Sequence, residues 1–240
     1  TKLAPYPWRL GNKGFTKPYL KSLERLNNKL DIVQIHWSTA KYNPWQELQL
    51  LNNLCDLIDQ GFNFQIGLSN IGPQRLKKII QYLSKRDKKV KSVQIQFSLL
   101  SPDFLKHTNV KRICENNDID FLAYSPLSFG ILCIDPEKDE DKQNSFLRSL
   151  IFKNYKKSSI ELRRCLKQIA VSRSVSQAQV AINWCCYQGA IPLVGMRKKS
   201  QVIDISNVFK WNLNQKEFGM LQQASQKCLS KMPSNPFSSL

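Results

Sequence analysis

Short apolar runs rich in Ile, Val and Phe alternate along this chain with longer stretches of 3.6-residue periodicity, and that alternation limits its folds more than any other feature. The strand candidates are "TKLA" at the start, "IVQIHW" (32–37), "FQIGLS" (64–69), "SVQIQFSL" (92–99), "IDFLAYS" (119–125) and "AIPLVG" (190–195). Helix candidates lie between them at about 17–28, 45–60, 73–86, 108–116, 158–173 and 176–188. Strands that are apolar on both faces and separated by helices are parallel strands with crossover connections. Gly72-Pro73 opens the third helix with Pro in its first turn, and Gly61 and Gly189 stand where helices should end. From 128 to 157 the pattern is lost, and the acidic "DPEKDEDK" marks that segment as an exposed loop. No internal repeat or linker divides the chain, so residues 1–240 read as one domain.

Repeated βα units close into an eight-stranded barrel or open into a doubly wound sheet. The G-x-G-x-x-G fingerprint of the open dinucleotide sheet is absent, as is the Walker lysine loop, which favours the barrel. In a barrel the carboxyl ends of the strands converge on one mouth. Those ends carry His36 and Trp37, Ser69 and Asn70, Gln94 and Gln96, Tyr124 and Ser125, and Gly195 and Arg197. An aromatic plate with amide and hydroxyl donors suits a flat heterocycle bearing a carboxamide. Arg197 and Lys198 beside a helix start suit phosphate. Each residue alone has a plainer reading: His36 as a core histidine held by a backbone carbonyl, Tyr124 as core, Arg197 as a solvated turn residue.

Composition bounds the rest. The 240 residues are 42% hydrophobic, enough for a substantial core. No apolar stretch approaches the roughly 20 residues that cross a bilayer, so a soluble protein without a membrane partner is expected. The seven cysteines are odd in number, scattered and free of C-x-x-C spacing, which points to a reducing compartment and away from a disulfide framework or metal site. A formal charge of +18 raises nucleic-acid binding as a possibility. The basic residues of Arg75–Lys91 and Lys153–Lys167 alternate with apolar residues at helical spacing, so they read as solvated helix faces and nucleic acid is not the expected partner.

The strings "TKLAPYPWRL", "SLERL", "DIVQIHWS", "GLSNIGPQRL", "VQIQFSLLSP", "AYSPLSFGIL" and "QVAINWCCYQGAIPLVG" resemble, in order and spacing, the aldo-keto reductases. They resemble in particular the plant-type plastid, pyridoxal reductase-like members, and the likeness runs from residue 1 to about residue 226. The resemblance implies an α/β fold of the (β/α)8 TIM-barrel type, NADPH as cofactor without a Rossmann domain, and reduction of a small aldehyde or ketone, such as a pyridoxal-like one, to an alcohol. The family's catalytic group is an Asp, Tyr, Lys and His tetrad. By resemblance Lys2 is its lysine, which lowers the pKa of the tyrosine, and His36 its histidine, which orients the carbonyl. Trp37 falls in the substrate pocket. Ser69, Asn70 and Gln94 match the holders of the nicotinamide carboxamide, Tyr124 the aromatic on its ring, and Ser125, Pro126 and Leu127 the pyrophosphate loop. Gly195, Arg197, Lys198, Gln201 and Asp204 match the segment that grips the 2′-phosphate and adenine. No metal is implied, and the compartment is plastid or cytoplasmic, plastid by resemblance alone.

The sequence also departs from the family. The Asp and Tyr of a D-x-x-x-x-Y type motif belong ahead of Lys2, on the first two barrel strands, and no residue here matches them; Tyr6 lies downstream of the lysine strand. The expectation is therefore an N-terminally incomplete sequence, in which the residues given lack the barrel's first two strands and half its tetrad. Ile205 stands where the family usually has an adenine-binding Asn, and "ILCID" replaces a more typical "LLTGK". A catalytically silent homologue that binds cofactor or regulates is the alternative to a reductase.

Overall fold

The computed structural model describes residues 1–101, 104–137, 154–228, 231–232 and 239. Among the described residues there are six strands, β1 (Lys2–Leu3), β2 (Ile32–Ile35), β3 (Gln65–Ser69), β4 (Val90–Gln96), β5 (Asp120–Tyr124) and β6 (Ile191–Leu193), hydrogen-bonded in the order of their sequence. The pairings from β1 to β4 are parallel, as the helices between successive strands require. The chain divides into two compact units. One comprises Thr1–Ile95, Phe104–Leu122 and Asn235–Leu240, the other Gln96–Asp103 and Ala123–Ser234.

In the first unit, α1 (Thr16–Arg25), α2 (Pro44–Asp59), α3 (Pro73–Ser84) and α4 (Phe104–Asn116) connect the strands. Helix α2 starts where Asn43 accepts the Gln46 N–H and Pro44 supplies a preset first turn. Its Leu50, Leu51, Leu54 and Leu57 are buried, and each such side chain contributes about 1.5–3 kcal/mol relative to exposure. In α3, Leu76, Ile79 and Leu83 face inward while Lys77 and Lys78 stay in solvent, the amphipathic division read from the sequence. Between strands β2, β3 and β4 lies a polar layer. Gln34 Nε2 donates to Ser92 Oγ at 3.0 Å, and Gly67 sits between them, where an added Cβ would fall 2.5 Å from Gln34 Cγ and 2.6 Å from Ser92 Oγ.

In the second unit, a 3-10 segment (Ser128–Cys133) is followed by α5 (Ile160–Arg173), α6 (Gln177–Tyr187), α7 (Lys199–Ser206) and α8 (Gln215–Lys227). Trp184 of α6 stacks on Phe97 at 5.2 Å, and Cys185 is fully buried, so the adjacent cysteines begin with a packing residue. Asn183 donates to the Val208 and Trp211 carbonyls and accepts from Leu213 N–H, which fixes the passage from α7 to α8. Helix α8 opens on a reciprocal cap between Asn214 and Glu217.

Several boundaries differ from the sequence reading. The run 92–99 overshoots, because β4 ends at Gln96 and Ser98 to Ser101 form a turn closed by their own hydroxyls. Helices α7 and α8 lay outside the six candidates; the strongly basic "MRKKSQ" start of one and the polar "NQKEFGMLQQ" of the other obscure their narrow apolar stripes. The segment read as an exposed loop over 128–157 begins instead with the 3-10 turn, whose Ser128, Ile131 and Leu132 are buried. Its residues 138–153 lie outside the described residues. Strand β6, read as a buried run, leaves Ile191 and Leu193 at 49% and 40% exposure, at the end of the strand order.

Candidate functional site

Lys2 pairs in register with Gln34, and His36 follows two residues later, one step beyond the end of β2. Side chains alternate along a strand, so Lys2, Gln34 and His36 belong to one face. The His36 N–H donates to the Leu3 carbonyl at 3.0 Å, extending the β1–β2 pairing past the last strand residue. Burial, and then the charge of Lys2, hold the His36 imidazole below its usual pKa. Burial likewise lowers the Lys2 ammonium. The imidazole thus senses the Lys2 charge, and both groups are biased toward their neutral forms.

The next two strands add hydrogen-bonding groups. Ser69 ends β3 and Asn70 follows it in the left-handed region, φ 54°, a conformation Asn tolerates better than most residues. The Asn70 N–H donates to the Gln94 carbonyl at 2.9 Å, and its side-chain Nδ2 donates to the His36 carbonyl at 3.1 Å and to Ser69 Oγ at 3.2 Å. Ser69, Asn70 and Gln94 are all more than nine-tenths buried. Among the described residues the Gln94 side chain makes no hydrogen bond, and its amide is not one of the fully sealed polar groups left without a partner.

Aromatic side chains gather beside His36. Trp37 packs at 5.2 Å from the His36 ring and edge-on to Tyr6 at 5.8 Å, and its Nε1 donates to the Tyr42 hydroxyl. Tyr6 stacks on Trp8 at 4.7 Å with planes 14° apart, and the Arg9 guanidinium lies 5.0 Å over the Tyr6 ring. Trp8 is 74% exposed. Trp8 was not singled out from the sequence, and Tyr6 only as a tyrosine that does not match the tetrad; the aromatic spacing in "PYPWR" was the available signal.

The second unit carries the remaining candidates. Tyr124 ends β5, its carbonyl accepting from the Phe97 N–H at 3.2 Å. The loop beyond it is strained: Ser125, Ser128 and Phe129 all have positive φ, near 50°, and Ser98 and Ser128 share a buried hydroxyl hydrogen bond of 2.8 Å beneath it. Clustered left-handed residues of this kind are held by their surroundings and gather at functional sites. A cavity of about 740 Å³ opens over the loop, lined by Ser125, Pro126 and Leu127 on one side and by Gly195, Arg197 and Gln201 on the other.

At the start of α7, Gln201 Oε1 accepts from the Arg197 and Lys198 N–H groups at 2.8 and 3.1 Å. That bond caps the helix and leaves the exposed Arg197 and Lys198 side chains at its positive end. Asp204 accepts from the Ser176 hydroxyl and the Gln179 amide, both at 2.6 Å. It therefore ties α7 to the capped start of α6 while lining an adjoining cavity of about 370 Å³ with Ser176, Ala178 and Ile205. Cys133 borders both cavities. Although the residue as a whole is exposed, burial of its sulfur and then the Asp204 carboxylate push its thiol up to about 11. Among the described residues no cluster of acidic, Cys and His side chains could hold a metal ion, and no helix is long and apolar enough to cross a membrane.

The family model described as the aldo/keto reductase family matches residues 1–226. The chloroplastic pyridoxal reductase of Arabidopsis thaliana is 37% identical over 238 residues, covering 99% of this chain and 64% of the relative. The chain thus spans less than two thirds of that protein's length. Among solved structures, the glycerol dehydrogenase from Gluconobacter oxydans superposes with TM-score 0.73 at 23% identity, covering 94% of this chain and 67% of that one. A substituted form of Gox0644 in complex with NADPH superposes with TM-score 0.69 at 17% identity, covering 93% and 69%.

Proposed function

Because the chain belongs to the aldo/keto reductase family, we propose that it serves the NADPH-dependent reduction of an aldehyde or ketone to an alcohol. The observation that carries this reading is the succession on adjacent parallel strands of Lys2, His36, Ser69 with Asn70, and Gln94, cross-braced by the Asn70 amide. A passive barrel needs only packing at these ends.

The donor set fits the cofactor. Ser69 accepts from Asn70 and so keeps its own O–H to give, while the partnerless Gln94 amide matches a carboxamide, which needs one donor and one acceptor. In the second unit the strained loop at Ser125 to Leu127 offers backbone and hydroxyl groups to a pyrophosphate. Arg197 and Lys198, at a helix amino end, offer charge to a 2′-phosphate. NADPH, when bound, supplies the hydride.

The chain's residues do the rest of the work assigned to them here. His36, held toward its neutral form, keeps an N–H for the substrate carbonyl and adds no charge beside Lys2. Lys2 favours the ionised form of a neighbouring phenol and so lowers its pKa. The family's phenol and its Asp have no counterpart among these 240 residues, and their place is ahead of Lys2. Trp37, Tyr6 and Trp8 form an aromatic wall suited to a flat substrate ring, which makes pyridoxal-like aldehydes the first to try. The plastid is the compartment proposed, on the likeness to a chloroplastic relative.

The test is to express the chain with any coding sequence that precedes Thr1 and follow NADPH absorbance with pyridoxal, aromatic aldehydes and short aliphatic aldehydes. Turnover that is lost in His36→Ala and faster for aromatic substrates is the expected result. A folded, cofactor-binding protein with no turnover on any of them would favour the silent homologue instead.

A further inference from the structure

Ser239 is 2% exposed and makes two hydrogen bonds to one turn. Its Oγ accepts from the Gly72 N–H at 2.9 Å, and its N–H donates to the Asn70 carbonyl at 3.3 Å. The turn, Asn70 to Gly72, joins β3 to α3. Gly72 is the residue at the amino end of α3 and has no side chain to cap it, so the helix start depends on a hydroxyl from 167 residues away. Asn70 stands at φ 54°, and its amide is divided between His36 and Ser69. Any rotation of this turn moves that amide. Ser239 therefore braces, from the outside, the residue that links β2 to β3 at the proposed nicotinamide end.

We propose that Ser239 is a positioning residue for cofactor binding, acting through the Asn70–Gly72 turn to hold Asn70 and Ser69 in place for the nicotinamide carboxamide. The inference rests on the reading of Ser69, Asn70 and Gln94 as carboxamide contacts. It makes a distinction that a general stabilising role does not. Among the described residues the hydrogen bonds of Ser239 go to the segment assigned to nicotinamide, so its loss weakens a ligand with a nicotinamide and spares one that carries only the adenosine 2′-phosphate.

The experiment uses the chain with any coding sequence ahead of Thr1 and titrates NADPH and 2′,5′-ADP separately by calorimetry against wild type, Ser239→Ala and Ser239→Thr. A neutral hydrogen bond of typical net strength corresponds to about a fivefold change in an equilibrium constant. The expected result is a Kd for NADPH raised about fivefold in Ser239→Ala, an unchanged Kd for 2′,5′-ADP, and recovery in Ser239→Thr, which keeps the hydroxyl. Should Ser239→Ala fail to fold, Ser239→Cys preserves the side-chain size with a weakly accepting sulfur and gives the same comparison. Equal loss for both ligands, or no loss for either, overturns the proposal. Wild type that binds neither ligand overturns the cofactor reading beneath it.

Discussion

The Asn70 side-chain amide donates to the backbone carbonyl of His36 across 3.1 Å, joining the residue after β3 to the residue after β2. One polar side chain thereby couples the proposed carbonyl-orienting histidine to the proposed carboxamide holder. The bond requires the left-handed backbone of Asn70, because φ 54° aims the side chain back across the strand ends. Asn70→Gly keeps that backbone and removes the amide, and should lower stability by about 1 kcal/mol. Asn70→Ala loses the amide and also pays about 1 kcal/mol or more for a Cβ in the left-handed region. Urea denaturation of the two variants checks the order; Ala equal to or above Gly would show that the backbone is not held as described.

Gly67 has no room for a methyl group. Its Cβ would meet Gln34 Cγ at 2.5 Å and Ser92 Oγ at 2.6 Å inside a buried layer. Gly67→Ala should cost about 1–3 kcal/mol by overpacking. Adding Gln34→Ala and Ser92→Ala makes space, so the triple variant should lose less than the sum of its parts. Strict additivity in equilibrium unfolding would contradict the packing.

The lowered pKa of His36 has a definite sign for stability. Burial and Lys2 disfavour the imidazolium in the folded chain, so as pH falls the unfolded chain takes up this proton first. Stability from this group is constant above about pH 6.5, falls as pH drops below that value, and levels once folded His36 protonates. His36→Gln should flatten the pH dependence of the melting midpoint between pH 7 and 5. An identical slope in wild type and variant would sink the assignment.

Much of this was legible in the sequence, for reasons particular residues make clear. Strands β2 to β5 announce themselves as short runs carrying Ile, Val or Phe between helical stretches, and α3 because Gly72-Pro73 precedes Leu76, Ile79 and Leu83 at helical spacing. His36, Ser69 and Asn70 were readable at strand ends from the runs themselves, whereas Gln94 falls inside β4, two residues before its end. What stayed hidden depends on contacts far apart in sequence. Ser239 meets Gly72 only once the chain has folded, and Asp204 is pledged to Ser176 and Gln179 across 28 and 25 residues. The 3-10 turn at Ser128–Cys133 was hard to read because the apolar Phe129, Ile131 and Leu132 surround its Ser128 and Gly130, and Phe129 takes a positive φ that its type does not announce.

Arg197 and Lys198 give the cofactor choice an electrostatic test. Both are exposed, and α7 begins beside them. Arg197→Ala should weaken NADPH about tenfold, leave NADH within about twofold, and reduce the dependence of NADPH affinity on salt, as expected for loss of a single phosphate-directed cation. Equal weakening of both cofactors in fluorescence titrations would move the 2′-phosphate elsewhere.

The most direct test of carbonyl reduction by this chain follows the hydride itself. Pyridoxal or an aromatic aldehyde is incubated with NADPH deuterated at nicotinamide C4, using the chain with any coding sequence ahead of Thr1, and the alcohol is analysed by mass spectrometry. An alcohol heavier by one mass unit, with deuterium on the former carbonyl carbon and none formed by His36→Ala, is the expected result. Alcohol without label, or no alcohol from a folded protein that binds NADPH, would contradict it.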